Sequence, residues 1–283
     1  MALFALCVIA FSGFAAEHKI GRAPIIHGKN FRHEQELFNY DPGFYPNVVS
    51  FDKQNRPYIR SRAKVPCLQT VDQAGKLNKI NFCAAIKKQY PQWNGRIEVG
   101  PFAEERVAID DADNIYIVAD LSRSNLRCSL LLASTDHGKT WNCLKLHGRS
   151  SRYLLEAPDG NNDKSHPPAM LGLERKKKTL SLLLPEWSKD NKLKIGHNVI
   201  ISKNSLFGGQ HSGGGNGCFS KGDKVYVVWP DGIAVPGKDG TPQYIMVYDR
   251  KKRQLSSPVF LGSNGHGPPD PHNIPAVTMD SKG

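Results

Sequence analysis

Ser134-Thr135-Asp136-His137-Gly138-Lys139-Thr140-Trp141, STDHGKTW, lies between two apolar runs, SLLLA and NCLKL. The Asp136 carboxylate can accept hydrogen bonds from the amides of its own turn, and Gly138 permits the positive φ that a tight reversal needs. The Ser134 and Thr140 hydroxyls can tie the two sides together. Trp141 offers a large apolar face to pack beneath them. The octapeptide therefore predicts a braced hairpin turn between two strands.

Working outward, the same strand–turn–strand pattern recurs. It is legible in PNVVSFDKQNRPYIR from Pro46, RVAIDDADNIYIVAD from Arg106, PAMLGLERKKKTLSLLL from Pro168 and NGCFSKGDKVYVVW from Asn216. A fifth copy, NIPAVTMDSKG, begins at Asn273. Each is an alternating or short apolar run followed by a turn rich in Asp, Lys, Gly or Asn, which is the signature of a β-hairpin. The turns at Asp52, Asp111, Glu174, Lys221 and Asp280 are spaced by 59, 63, 47 and 59 residues. Four strands and their loops fill about that length, the size of one β-propeller blade.

The expected fold is therefore all-β: a propeller of four-stranded antiparallel blades, about four of them present, truncated from a six- or seven-bladed ring. IKKQYPQW, near Ile86, is too short for a long helix and is broken by Pro91. EAPDGNNDKSHPP, from Glu156, reads as a polar loop between blades.

Residues 1–16, MALFALCVIAFSGFAA, read as an export signal with small residues at Gly13 and Ala15. Residues 17–283 are then a partial propeller domain of a secreted or periplasmic protein. No other stretch is long and apolar enough to span a bilayer. Beyond Cys7 the chain has Cys67, Cys83, Cys128, Cys143 and Cys218. That odd number excludes a full set of internal disulfides. Cys67 with Cys83, or Cys128 with Cys143, are the pairs an oxidising compartment could bridge, while buried small hydrophobes are the commoner fate. No cofactor motif is present: Cys and His lack zinc-site spacing, and neither a phosphate-binding nor a dinucleotide-binding glycine loop follows a strand. A calcium or zinc ion is left open.

The 283 residues carry a formal net charge of +12, with 39% hydrophobic and 23% charged residues. That balance favours anionic partners. Nucleic acid has no recognisable reading module here, and ERKKKT, from Glu174, is a solvated turn. An acidic polysaccharide or oligosaccharide remains the expected partner of a monomer.

STDHGKTW matches the Asp-box, S-x-D-x-G-x-T-W, at its defining positions Ser134, Asp136, Gly138, Thr140 and Trp141. It resembles the BNR repeats of sialidases and related secreted propellers, where the box is structural and lies on the outer rim. HSGGGNGCFSKGDKVYVVWPDG, GTPQYIMVYDRKKRQLSSPVFLG and DPHNIPAVTMDSKG resemble the BNR-4 propellers, a family that includes ulvan lyases. That resemblance implies polysaccharide β-elimination by His, Tyr and Arg. The candidates are His211 or His166, Tyr244 and Arg250, with His272 as a further histidine placed before an inner strand. Tyr244 and Tyr248 stand four apart, so both face one side of a strand.

Two alternatives stay open. One is sialidase-like hydrolysis, for which Arg22-Ala23-Pro24 is a faint echo of an arginine motif, and Asp110, Asp111, Asp120 and Glu186 are spare carboxylates. The other is a noncatalytic glycan-binding propeller using stacking from Trp187 or Trp229.

Overall fold

A computed structural model describes residues 49–60, 67–72, 74–97, 106–121, 124–146, 151–156, 167–174, 176–207, 217–270, 275 and 277. The proposed export signal and the fifth hairpin turn lie outside these residues. Seventeen strands and one helix are described, grouped as four sheets of antiparallel strands that follow one another in chain order.

The first sheet runs β1 (Val49–Phe51), β2 (Pro57–Arg60), β3 (Leu68–Val71), β4 (Leu77–Ile80). A helix, α1 (Cys83–Gln89), follows it. The second sheet is β5 (Val107–Ile109), β6 (Ile115–Asp120), β7 (Ser129–Ser134), β8 (Asn142–Leu146). The third is β9 (Ser151–Leu155), β10 (Met170–Glu174), β11 (Thr179–Trp187), β12 (Leu193–Ser202). The fourth is β13 (Cys218–Lys221), β14 (Lys224–Pro230) and β15 (Thr241–Asp249), followed by β16 (Gln254–Leu255) and β17 (Val259–Asn264). Both β16 and β17 pair with β15, at Tyr248–Asp249 and Thr241–Ile245 respectively. They are one fourth strand, interrupted around Pro258, which has no N–H to give a ladder.

Strand alternation explains how the sheets stack. In β6, Ile115, Ile117 and Ala119 join a core with Tyr58, Leu68, Phe82 and Trp93 of the first sheet and its following segment. Their neighbours Tyr116 and Val118 point the other way, into a core with Leu155, Met170 and Leu183 of the third sheet. In the third sheet Leu171, Leu173, Leu180 and Leu182 pack on Val225, Val227, Trp229 and Tyr248 of the fourth. A strand with both faces covered needs apolar residues at both parities, hence the unbroken apolar runs IYIVA and SLLLA. Consecutive four-stranded meanders packed face to face are blades of a β-propeller.

In a meander every second turn emerges at the same end. The backbone N–H of Lys53 in the β1–β2 turn donates to Asp113 Oδ1 in the β5–β6 turn, at 3.0 Å. Trp187 Nε1, at the end of β11, donates to the Tyr116 hydroxyl at the start of β6, at 3.0 Å. These turns, with β13–β14 and β15–β16, define a turn end. The opposite, crossover end carries the β10–β11 turn, the β14–β15 loop and the chain from β12 to β13. There Ser205 N donates to Lys178 O at 2.9 Å and Leu206 N to Pro230 O at 2.9 Å.

The structure corrects the sequence reading of the third blade. PAMLGLERKKKTLSLLL is its second and third strands, not its first and second, because SRYLL (β9) precedes them in the sheet. IKKQ belongs to α1, a short helix whose Ile86 is fully buried, with Lys87 and Lys88 in its last turn, where they suit the carbonyl end of the helix.

Candidate functional site

The braced turn forms as its residues dictate. Ser134 Oγ donates to Asp136 Oδ1 at 2.8 Å and accepts from Gly138 N at 2.7 Å. Asp136 also accepts from Thr140 N at 2.8 Å and Thr140 Oγ1 at 2.6 Å. Trp141 Nε1 donates to Gly138 O at 3.1 Å, and its ring meets Phe82 edge-on. Burial would raise the Asp136 pKa, but the Thr140 and Ser134 hydrogen bonds outweigh it and hold the carboxyl below its usual range. Asp136 is wholly engaged in the β7–β8 turn, at the turn end.

The same device recurs with other residues. Asp52 Oδ1 accepts from Gln54 N and Arg56 N, and its Oδ2 accepts from Tyr58 OH. Asp110 Oδ1 accepts from Ala112 N and Asn114 N, and Tyr116 OH donates to Oδ2 at 2.7 Å. Asp72 braces the β3–β4 turn through Ala74 N and Lys76 N. Asp110, one of the spare carboxylates considered for hydrolysis, is thus committed to a turn.

Of the predicted catalytic residues, Tyr244 and Arg250 are described, and they lie toward opposite ends of the fourth sheet. His166, His211 and His272 lie outside the described residues. The Asp270 N–H donates to Thr241 Oγ1 at 2.7 Å, at the crossover start of β15.

Tyr244 sits in the crossover half of β15, stacked on Trp229 with centroids 5.5 Å apart and tilted against Phe260 at 5.6 Å. Tyr244 and Tyr248 do face the same side, both against the core shared by the third and fourth blades. Tyr248 is fully buried and Tyr244 is half-buried. Below the Trp229 ring edge, Asp231 Oδ2 accepts from Ser202 Oγ at 2.8 Å and Trp229 Nε1 at 3.2 Å, while Oδ1 accepts from Ile233 N. This network fixes the crossover ends of β12 and β14 and so orients the aromatic row. Trp229, proposed for stacking, is itself buried; Phe260 is the exposed member.

Arg250 stands six residues beyond Tyr244, about 20 Å away along an extended strand. Its backbone N–H donates to Asp223 O across the β13–β14 turn. Its guanidinium donates through Nη2 to Ser220 Oγ at 3.2 Å, and Ser220 Oγ donates to Glu156 Oε2 at 2.8 Å. Glu156 is fully enclosed: burial raises its pKa to about 7, against the pull of Ser220 and Arg250. Cys218 and Arg106 lie within the same cluster, and burial raises the Cys218 thiol strongly. Arg106 Nη1 also donates to Leu155 O at 2.7 Å. The sequence reading missed Glu156 because it sits in a polar stretch, EAPDG. The available signal was its position directly after the apolar strand SRYLL.

Among the described residues no group of three or more His, Cys, Asp or Glu side chains is arranged to hold a metal ion. No helix there is long and apolar enough to cross a membrane. The five cysteines beyond Cys7 are unbridged.

No protein-family model matches the chain, and no curated protein matches it. Four solved chains match in structure. One is titled a bifunctional GH43-CE protein of Bacteroides eggerthii, with a TM-score of 0.36 and 10% identity over 77% of this chain and 28% of that one. A likeness that distant carries no argument about activity.

Proposed function

We propose that this chain is an exported carbohydrate-active propeller that acts on an acidic polysaccharide by β-elimination at its crossover end. The observation that carries the reading is the half-buried Tyr244, held in the row Trp229–Tyr244–Phe260 at the crossover end. A sugar ring offers a C–H face that suits an aromatic surface, and the net charge of +12 favours an anionic polymer. In the reaction, Tyr244 or a histidine takes the proton next to the uronate carboxylate. The electron pair forms the new C=C bond, and the glycosidic oxygen leaves with a proton from the other group. Arg250, at the opposite end, has no part in that subsite.

The test incubates the protein with a panel of uronate-containing and sulfated polysaccharides and records ultraviolet absorbance of unsaturated uronate. A rise with one substrate supports the lyase. Reducing ends without that absorbance mean hydrolysis instead, and neither signal with any polysaccharide overturns the enzymatic reading. A second reading, glycan binding without turnover, is favoured by the exposure of Phe260 at 38%, beside Val259 and Leu261. Retained affinity with no product would establish it.

A further inference from the structure

The lysine run after Glu174 reads in the sequence as the solvated turn of a first hairpin, which would set it at the turn end. Because β9 precedes it in the sheet, the run joins β10 to β11 and stands at the crossover end, with the aromatic row. Backbone contacts fasten the two together. Lys178 O accepts from Ser205 N at 2.9 Å, and Asn204 O accepts from Gly232 N at 2.7 Å. Ser202, the neighbour of Lys203, donates through Oγ to the same Asp231 Oδ2 that receives the Trp229 indole. Lys176, Lys177, Lys178 and Lys203 are all exposed.

A merely solvated face mixes its charges, and the turn end does so. Lys194 pairs there with Glu186 at 2.9 Å and Lys251 with Asp223 at 2.6 Å, while Lys53 and Lys139 donate their amides to Asp113 and Asp136. Beside the lysine run, Glu174 pairs with Lys177 at 3.0 Å, and both Asp231 oxygens are turned onto Ser202, Trp229 and the Ile233 amide. Among the described residues, Lys176, Lys178 and Lys203 enter no salt bridge. Ammonium groups gathered in this way raise the local concentration of anions. Each is a point charge on a flexible stem, which suits anionic groups repeated along a polymer better than one fixed carboxylate. We propose that Lys176, Lys178 and Lys203 form an outer subsite for the charged sugars that flank the one stacked on the aromatic row. The ligand is a linear glycan with an anionic group on successive sugars. This subsite rests on the reading of the crossover end as the glycan-binding end.

The test measures binding of heparin and alginate, with neutral dextran and a single-stranded oligodeoxythymidylate as comparison probes. The full chain is compared with the triple variant Lys176→Gln, Lys178→Gln, Lys203→Gln. A control triple at the turn end, Lys189→Gln, Lys192→Gln, Lys252→Gln, removes the same charge from exposed positions. Affinity for at least one anionic glycan should fall roughly tenfold in the crossover triple, as three exposed ion pairs are lost, and change little in the control. The salt dependence of binding should flatten in the crossover triple alone. Equal losses in the two triples, or no binding of either glycan by the wild type, would overturn the subsite. So would tighter binding of the oligodeoxythymidylate than of either glycan, lost in the crossover triple. Phe260→Ala separates the two readings. A loss in Phe260→Ala without one in the crossover triple keeps the aromatic row and sinks the lysine subsite. A loss in the crossover triple without one in Phe260→Ala supports the lysines as the anion site and removes the row.

Discussion

Asp136 shows how a single side chain can decide a turn. It receives the amide and the hydroxyl of Thr140 and the hydroxyl of Ser134, and Ser134 in turn holds Gly138. Asp136→Ala should cost about 1–3 kcal/mol, read by urea unfolding, because several donors lose their acceptor at once. The Asp136 pKa is depressed, so the stabilisation is present above the ordinary value of 3.8 and is lost as pH falls below it. An acid-unfolding curve that is unchanged in Asp136→Asn would contradict this. Gly138→Ala tests the backbone: φ is +86°, and an added Cβ would lie 2.5 Å from Ile80 Cγ2. A loss above about 1 kcal/mol is expected. Tyr116→Phe removes a hydroxyl that joins Asp110 to the Trp187 indole, at 2.7 and 3.0 Å, and should cost about 1–2 kcal/mol. This turn chemistry was readable in the sequence because each contact is local. The Tyr116–Trp187 bond was not, since it links residues 71 apart.

At the scale of elements, hairpins were legible and their place within a blade was not. VAIDDADNIYIVAD reads directly as β5 and β6 because its turn carries Asp110 six residues before Tyr116. The third blade misled because its strongest hairpin, at Glu174, lies between second and third strands. The uneven spacing of 63 then 47 residues on either side of Glu174 was the trace of that shift. A seven-residue helix, α1, escaped because Pro91 sits just beyond its end and only Ile86 is a buried residue within it. The interrupted fourth strand of the last blade leaves Val259 and Leu261 more than half exposed. Hydrogen exchange should accordingly find the β17 amides opening faster than those of β14, which is paired on both sides.

Across the whole molecule, three successive inter-blade cores make the second and third blades the most enclosed. Leu132→Ala and Leu182→Ala, one in the first core and one in the last, should each cost about 2–5 kcal/mol. The candidate site was partly legible. Tyr244 and Arg250 were named together from the sequence, without knowledge of which end each strand reaches. Strand direction, fixed only by counting strands within a sheet, separates them.

We propose that the chemistry belongs to the crossover end. The most direct measurement is turnover of a responding acidic polysaccharide by Tyr244→Phe and Arg250→Gln, each corrected for folded fraction. At least a hundredfold loss in kcat, on the order of 3 kcal/mol, is expected for Tyr244→Phe with binding retained, and near-normal turnover for Arg250→Gln. Full activity in Tyr244→Phe together with its loss in Arg250→Gln would place the reaction at the turn end and contradict the account.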